Sequence, residues 1–424
     1  MIRPFPHSRP LITALAMLAA IASATAAELK VSTDFPGGSA TVESIDQATR
    51  AIHFMPGGDP AHGWPCWWFL RIDGAEAGEK ILLDLAGSDR PARNNGKDTG
   101  QPLAANWAMP GRAAWSTDGK TWRHTEPGHH AGAIMQYEVV AESGTVFVAW
   151  GPPFTTRNAE ELIATCERAL PAAKRFELCH SRSGRPVPAL RIAASTDPKA
   201  FGIWIDARQH AWESGSSWVA QGVLEWLTGA DEPAVWLREH AEIVVVPIMD
   251  VDNVETGNGG KEADPRDHNR DWSDTPFYPE VVAAQARLRE LAADGRMDLF
   301  LNLHNPAPGD AQPFFFCGPA EFLSPLAQRN RAAFLAQARE QITKPLLLDP
   351  KTRETGPSYH PLWRQISGQW VTDHGNPQTV TACLETSWNT PFSTADGYRT
   401  VGRQLGQAIA AYFREHNPRV PTPP

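Results

Sequence analysis

Gly202-Ile203-Trp204-Ile205-Asp206-Ala207-Arg208-Gln209-His210-Ala211-Trp212-Glu213-Ser214-Gly215-Ser216-Ser217-Trp218 decides how this chain is read. An apolar run, a polar turn and the onset of a helical pattern follow one another, so the segment predicts strand, tight turn and helix. His210 and Glu213 lie three residues apart on that turn. An imidazole and a carboxylate so placed can close on one metal ion, and a third ligand with a vacant position would complete a hydrolytic zinc site.

The pattern continues outward. Strands are expected at Phe201 to Ala207, Glu242 to Met249, Met297 to His304 and Val380 to Thr386. Helices are expected at Asn158 to Leu170, Ser216 to Leu227, Pro279 to Ala293, Pro325 to Gln341 and Ala395 to Glu415. This alternation predicts an α/β fold, a mixed sheet with helices on both faces. His210, Asp250, His304 and Glu385 fall at or just beyond the carboxyl ends of the strands, where open α/β sheets bind ligands.

A histidine at a strand tip, taken alone, is more often a satisfied core residue. With H-x-x-E on a neighbouring strand, His304 becomes the expected third ligand, giving a His₂Glu set for one Zn²⁺ per chain. Glu385 ends an apolar strand. A carboxylate there loses hydration unless it is paired or used, and partial burial raises its pKa toward that of a general base. The bland reading is an ion pair with an arginine. Asp264-Pro265-Arg266-Asp267-His268-Asn269-Arg270-Asp271-Trp272 follows the glycine run Gly257-Asn258-Gly259-Gly260. Asn269 and Arg270 can grip a carboxylate, and Asp267 can orient a ligating imidazole. A solvated charged loop is the alternative.

Taken in order, H-x-x-E followed by Ser-Ser-Trp, then Asn-Arg-Asp-Trp, the strand-end His and the late strand-end Glu resemble the zinc metallocarboxypeptidase family. Residues 209–218 are most similar to its cytosolic-carboxypeptidase-like branch, which carries an N-terminal β-domain. Trp67-Trp68-Phe69-Leu70-Arg71-Ile72 and Val148-Ala149-Trp150-Gly151-Pro152-Pro153-Phe154 resemble that domain's start and end. The resemblance implies that His210, Glu213 and His304 hold zinc. Glu385 then takes a proton from the attacking water and delivers it to the leaving amine. Asn269 and Arg270 would hold the substrate's terminal carboxylate, with Asp267 steadying His210. The branch has an oxyanion-stabilising arginine where this chain has Gly260; Lys261 and Arg266 are the candidates to replace it. Tyr359 is the candidate for the family's mobile tyrosine.

Residues 28 to 152 show short alternating runs punctuated by Gly and Pro, which predicts an antiparallel β-sandwich. The expected organisation is a signal peptide at 1–26, a β-sandwich domain at 27–155, a catalytic domain at 156–416 and a disordered tail at 417–424. The leader is read from Arg3 and Arg9, the apolar run Leu11 to Ala22 and Ala24-Thr25-Ala26, and implies a periplasmic or secreted bacterial protein. No later run is long and apolar enough to span a membrane.

Net charge is −9, which argues against nucleic acid as a partner. A peptide, or a peptidoglycan-derived peptide, is the expected substrate. The five cysteines are too few and too scattered for a disulfide scaffold, although Cys166 and Cys179 could pair. Three rival readings stand beside the carboxypeptidase. One is a zinc deacylase of small N-acyl amino acids. Another is a non-catalytic peptide- or glycan-binding protein whose N-terminal tryptophans (Trp64, Trp67, Trp68, Trp107, Trp115, Trp122, Trp150) stack on sugars rather than fill a core. The last is a serine hydrolase at Gly215-Ser216-Ser217, which Val219 opposes because G-x-S-x-G needs a glycine there; Ser216 reads instead as a helix cap.

Overall fold

The structure, a computed structural model, describes residues 1, 27–193, 197 and 199–419. Residues 2–26 of the expected leader at 1–26, and residues 420–424, lie outside the described residues.

Besides a separate two-stranded ribbon, Pro91–Asn94 with Lys97–Pro102, strands from residues 30 to 149 form two five-stranded sheets. Phe69–Asp73 and Thr145–Ala149 lie inside one, Ile134–Val140 and Lys80–Leu85 inside the other. Ile72, Val146, Leu83 and Tyr137 alternate inward and fill the space between them. Pairing is antiparallel with one exception: Ala51–Met55 runs parallel to Lys80–Leu85. The chain between those two strands passes through the opposite sheet, at Phe69–Asp73, and so returns in the same direction.

An eight-stranded mixed sheet follows, with four parallel strands at its centre in the order Ala241–Val246, Phe201–Ala207, Met297–His304 and Val380–Glu385. Every residue of Met297–His304 is buried, as expected of a strand covered on both faces. Ser214–Leu227 and Ala395–Glu415 pack as one helical layer and Pro279–Ala293 with Ser367–His374 as another. The first pair approaches closely: a Cβ on Gly402 would stand 2.0 Å from the Val219 carbonyl oxygen. The chain leaves Phe201–Ala207 for the strand on one side and later enters the strand on the other. That reversal opens a crevice at the carboxyl ends of these strands.

Several elements were not expected. Ala173–His180 and Pro186–Ala193 form an antiparallel edge, and Phe314–Cys317 pairs antiparallel to Val380–Glu385 on the other side. Helix Glu232–His240 was also unforeseen. Residues 417–419 depart from the disordered tail expected of them. Arg419 pairs with the buried Asp298 at 2.6 Å, and the Pro418 carbonyl accepts the Asn330 amide at 2.9 Å. All five cysteines are free, Cys166 and Cys179 included. Among the described residues no helix is long and apolar enough to cross a membrane.

The two halves share a core. Trp150 lies against Trp388 at 4.3 Å, tilted by 38°, and meets Trp212 edge-on at 5.3 Å. Trp67, Trp68 and Trp150 are buried in the core of the β-domain, and Trp115 and Trp122 pack against that core. Trp64 and Trp107 differ, because both face the cavity described next.

Candidate active site

His210 and Glu213 sit on the turn between Phe201–Ala207 and Ser214–Leu227. Arg208, at φ +65°, shapes that turn from within: its buried guanidinium donates to the carbonyls of Ala211 at 2.6 Å and Phe154 at 3.0 Å. Ser216 lies inside the helix and donates to the Glu213 carbonyl at 2.7 Å, so it is neither the cap expected of it nor an exposed nucleophile. His304 ends the adjacent strand, in register with Glu385 on the next.

The three expected metal ligands converge. Single ligand atoms of His210, Glu213 and His304 lie within 4.8 Å of one another, all buried. Glu213 presents Oε1 to His210 Nδ1 at 2.8 Å and Oε2 to His304 Nδ1 at 2.6 Å. Burial opposes charge on Glu213, but the imidazoles of His304 and His210 outweigh it and hold the carboxyl down, to about 2. The outer ring nitrogens are engaged as well: His210 Nε2 meets Asp267 Oδ1 at 3.0 Å, and His304 Nε2 contacts Asn302 Oδ1. Those partners direct both Nδ1 atoms inward, the arrangement a tetrahedral His₂Glu zinc site requires.

Glu385 lines the same cavity of about 290 Å³, and its buried Oε2 has no hydrogen-bond partner among the described residues. Burial, then the like charge of Glu213, push its carboxyl up to about 8. The ion pair that was the bland reading of Glu385 does not occur among the described residues. Arg270 is buried, donates through Nη1 only to the Asn269 carbonyl at 2.8 Å, and leaves Nε unpartnered. Asn269 stands beside it, its amide nitrogen 3.2 Å from His304 Nε2. Tyr359 is 42% exposed, with its ring 5.8 Å from the Arg270 guanidinium. A partly free tyrosine over an unpaired guanidinium can move onto a bound anion.

The two candidates for the missing arginine part company. Gly260 has φ +77°, and a Cβ there would stand 2.5 Å from Asp250 Oδ2 and 2.7 Å from the Ala211 nitrogen, so position 260 excludes any side chain. Lys261 enters the cavity, its ammonium 5.3 Å from the Trp64 ring. Burial works against its charge, but the Asp267 carboxylate outweighs it and raises the pKa. Arg266 is a correction. It turns away to the buried Asp271 at 3.2 Å and to Ser273 and Thr275, and lines no part of the cavity. Asp250 likewise caps helix Val251–Thr256 instead of reaching the site.

Sequence reasoning missed the supports. Asp206 and Asn302 lie side by side on neighbouring strands and are hydrogen bonded, and Asp206 is held in turn by Trp204 at 2.9 Å and Gln209 at 3.1 Å. Asn305 donates its backbone N–H to Glu213 Oε2 at 3.3 Å and its amide to the Thr386 carbonyl at 2.6 Å. A polar residue inside an apolar strand run was the available signal for Asp206 and Asn302.

Residues 160–294 match the zinc carboxypeptidase family model. The chain carries a zinc carboxypeptidase domain. Cytosolic carboxypeptidase 3 of Bos taurus is 24% identical over 258 residues, covering 56% of this chain and 25% of that protein. The chain thus spans about a quarter of the length of the curated relatives it matches first. Among solved structures, a metallo-carboxypeptidase from Burkholderia cenocepacia superposes with TM-score 0.75 at 21% identity, covering 91% of this chain and 99% of that one. A metallo-carboxypeptidase from Pseudomonas aeruginosa, solved in complex with (2-guanidinoethylmercapto)succinic acid, gives TM-score 0.74 at 20% identity over 91% and 99%. At these identities the structures share the fold, which reaches well beyond the matched segment of the carboxypeptidase domain into the β-domain.

Proposed function

We propose that this protein is a metallocarboxypeptidase that hydrolyses the last amide bond of peptides. One observation carries the reading: the His210–Glu213–His304 triad, the Glu385 carboxyl and the Arg270 guanidinium, neither of the last two in an ion pair among the described residues, all line one cavity. Zinc bound by the triad would lower the pKa of water to about 7 and polarise the scissile carbonyl. Arg270 and Asn269 receive the substrate's free carboxylate, which positions the last amide bond beside Glu385. Glu385 takes the proton of the attacking water and returns it to the leaving amine, a role worth roughly 10²–10⁴ in rate. Lys261 offers its charge to the developing oxyanion from the place the glycine at 260 cannot fill. The P. aeruginosa protein's ligand, (2-guanidinoethylmercapto)succinic acid, carries carboxyl groups, the kind of group that Arg270 and Asn269 would receive here.

The finer form of the proposal is that the chain is exported, as its expected leader implies, and acts on peptidoglycan stem peptides. The test is metal analysis with peptide-library digestion of wild type beside Glu385→Gln, stem peptides and N-acyl amino acids included. Zinc retained in both proteins and release of C-terminal residues only by wild type is the expected result. Cleavage inside the peptides, or turnover confined to N-acyl amino acids, would overturn it.

A further inference from the structure

We propose that the N-terminal β-domain supplies a substrate subsite: the corner formed by Trp64 and Trp107 takes an uncharged aromatic or bulky apolar side chain from the residue preceding the cleaved bond. The assignment of that substrate residue rests on the carboxypeptidase reading above. Both rings line the metal cavity and are half-buried. Their centroids are 4.8 Å apart at 66°, so the face of one ring and the edge of the other bound an open angle. Aromatic groups prefer this edge-to-face environment.

The corner's position decides which end of a substrate reaches it. Trp107 packs at 5.8 Å against Trp212, which lies between His210 and Glu213 in the sequence. The carboxylate clamp is supported elsewhere, with Arg270 near Tyr359 and the Asn269 side-chain oxygen accepting the Ser367 N–H at 3.1 Å. A peptide held by its terminal carboxylate and lying across the triad therefore extends its acyl side toward the two tryptophans.

Hydrogen bonds anchor Trp64 on this side of the cavity. Trp64 Nε1 donates to the Arg93 carbonyl at 2.8 Å. Its backbone N–H donates to the Lys261 carbonyl at 2.9 Å, and Gly260 donates to the His62 carbonyl at 2.8 Å. Glycines permit this contact: a Cβ on Gly259 would stand 2.1 Å from the Trp64 carbonyl oxygen. Charge narrows the ligand further. The Lys261 ammonium near the Trp64 ring repels a cationic side chain, and the two indole faces favour an apolar or aromatic one.

The test compares N-acetyl-Phe-Xaa, N-acetyl-Gly-Xaa, N-acetyl-Lys-Xaa and N-acetyl-Glu-Xaa across all C-terminal residues, using the full zinc-loaded chain. The phenylalanine series is expected to show kcat/KM at least tenfold above the others. In Trp107→Ala that ratio falls toward unity, while Trp107→Phe keeps most of it; Trp64→Ala gives an independent copy of the result. Equal kcat/KM for Phe and Gly in wild type, or a preference for Lys or Glu, overturns the subsite. Equilibrium binding of the same peptides to zinc-loaded Glu385→Gln separates the two proposals. If wild type hydrolyses nothing yet this variant binds the Phe series tenfold tighter than the Gly series, the carboxypeptidase reading fails and the subsite stands. Equal affinities sink the subsite whatever the activity.

Discussion

Replacing Asp267 by asparagine tests whether the metal site is held from behind. Asp267 Oδ1 accepts from His210 Nε2 at 3.0 Å and from the Asn269 N–H at 2.8 Å, while Oδ2 accepts the Glu262 N–H at 3.0 Å. All of this is buried. Burial opposes the carboxylate's charge, yet the facing His210 imidazole outweighs it and holds the carboxyl well below the usual range. Asparagine keeps the shape and one acceptor but removes the charge and sets an amide N–H against the Glu262 N–H. Loss of such an outer partner typically costs 10–100-fold in metal affinity, or about 1.4–2.7 kcal/mol. The orphaned Glu262 donor adds about 1–3 kcal/mol of destabilisation in the metal-free protein as well. Competition against a chromophoric chelator at pH 7.5 measures the first quantity, and urea unfolding of metal-free protein the second. Zinc affinity within a factor of two of wild type, in a protein that shows the stability loss, would refute the argument that Asp267 tunes His210.

Lys261→Met should keep its zinc and lose roughly 10²–10³ in kcat, the usual cost of one oxyanion donor; Lys261→Arg should recover part of that, and a kcat within threefold of wild type for the Met variant would remove Lys261 from the chemistry. A chelator should abolish activity and lower the melting temperature without unfolding the protein, because Glu213 already bridges both imidazoles by hydrogen bonds, and added zinc should restore both. A bound cation favours the ionised form of Glu385, so the acid limb of kcat/KM should lie below the pH of about 8 set by burial and Glu213 alone, with activity rising as pH rises. His268 lies between Glu280 at 2.7 Å and Asp250 at 3.5 Å; burial opposes its charge, but these carboxylates, Asp250 first, raise it to about 9. Its folded pKa lies above the unfolded 6.5, so its contribution, at most on the order of 3 kcal/mol, is complete below pH 6.5 and lost as pH rises through 9. Unfolding curves of wild type and His268→Gln should therefore converge between pH 6.5 and 9.5, and a constant gap would contradict the assignment.

The central sheet was legible because its strands are buried on both faces and read as apolar runs; Met297–His304 matches its expected bounds at both ends. The edge strand Ala173–His180 was not, since one of its faces meets solvent and its alternation of Lys174, Arg175 and Glu177 with Phe176 and Leu178 resembles a charged loop. At the site, residue types with strong chemistry announced themselves at strand ends. What spacing could not show is direction. Lys261 and Arg266 are equally plausible cations on paper, and only the buried Asp271 that captures Arg266 and the left-handed Gly260 that aims the next residue inward distinguish them. The cavity's second wall was hidden for another reason: Trp64 and Trp107 precede the catalytic turn by more than a hundred residues, and nothing local separates them from tryptophans that fill the sandwich.

The backbone hydrogen bonds joining residues 61–64 to 260–264 have a bearing on engineering. Grafting a relative's β-domain onto this scaffold would transplant half of a mated seam, leaving amide and carbonyl groups of the Lys261 loop facing a foreign surface. A workable chimera has to exchange both margins of that seam together, and the same coupling restrains how independently the two modules can diverge.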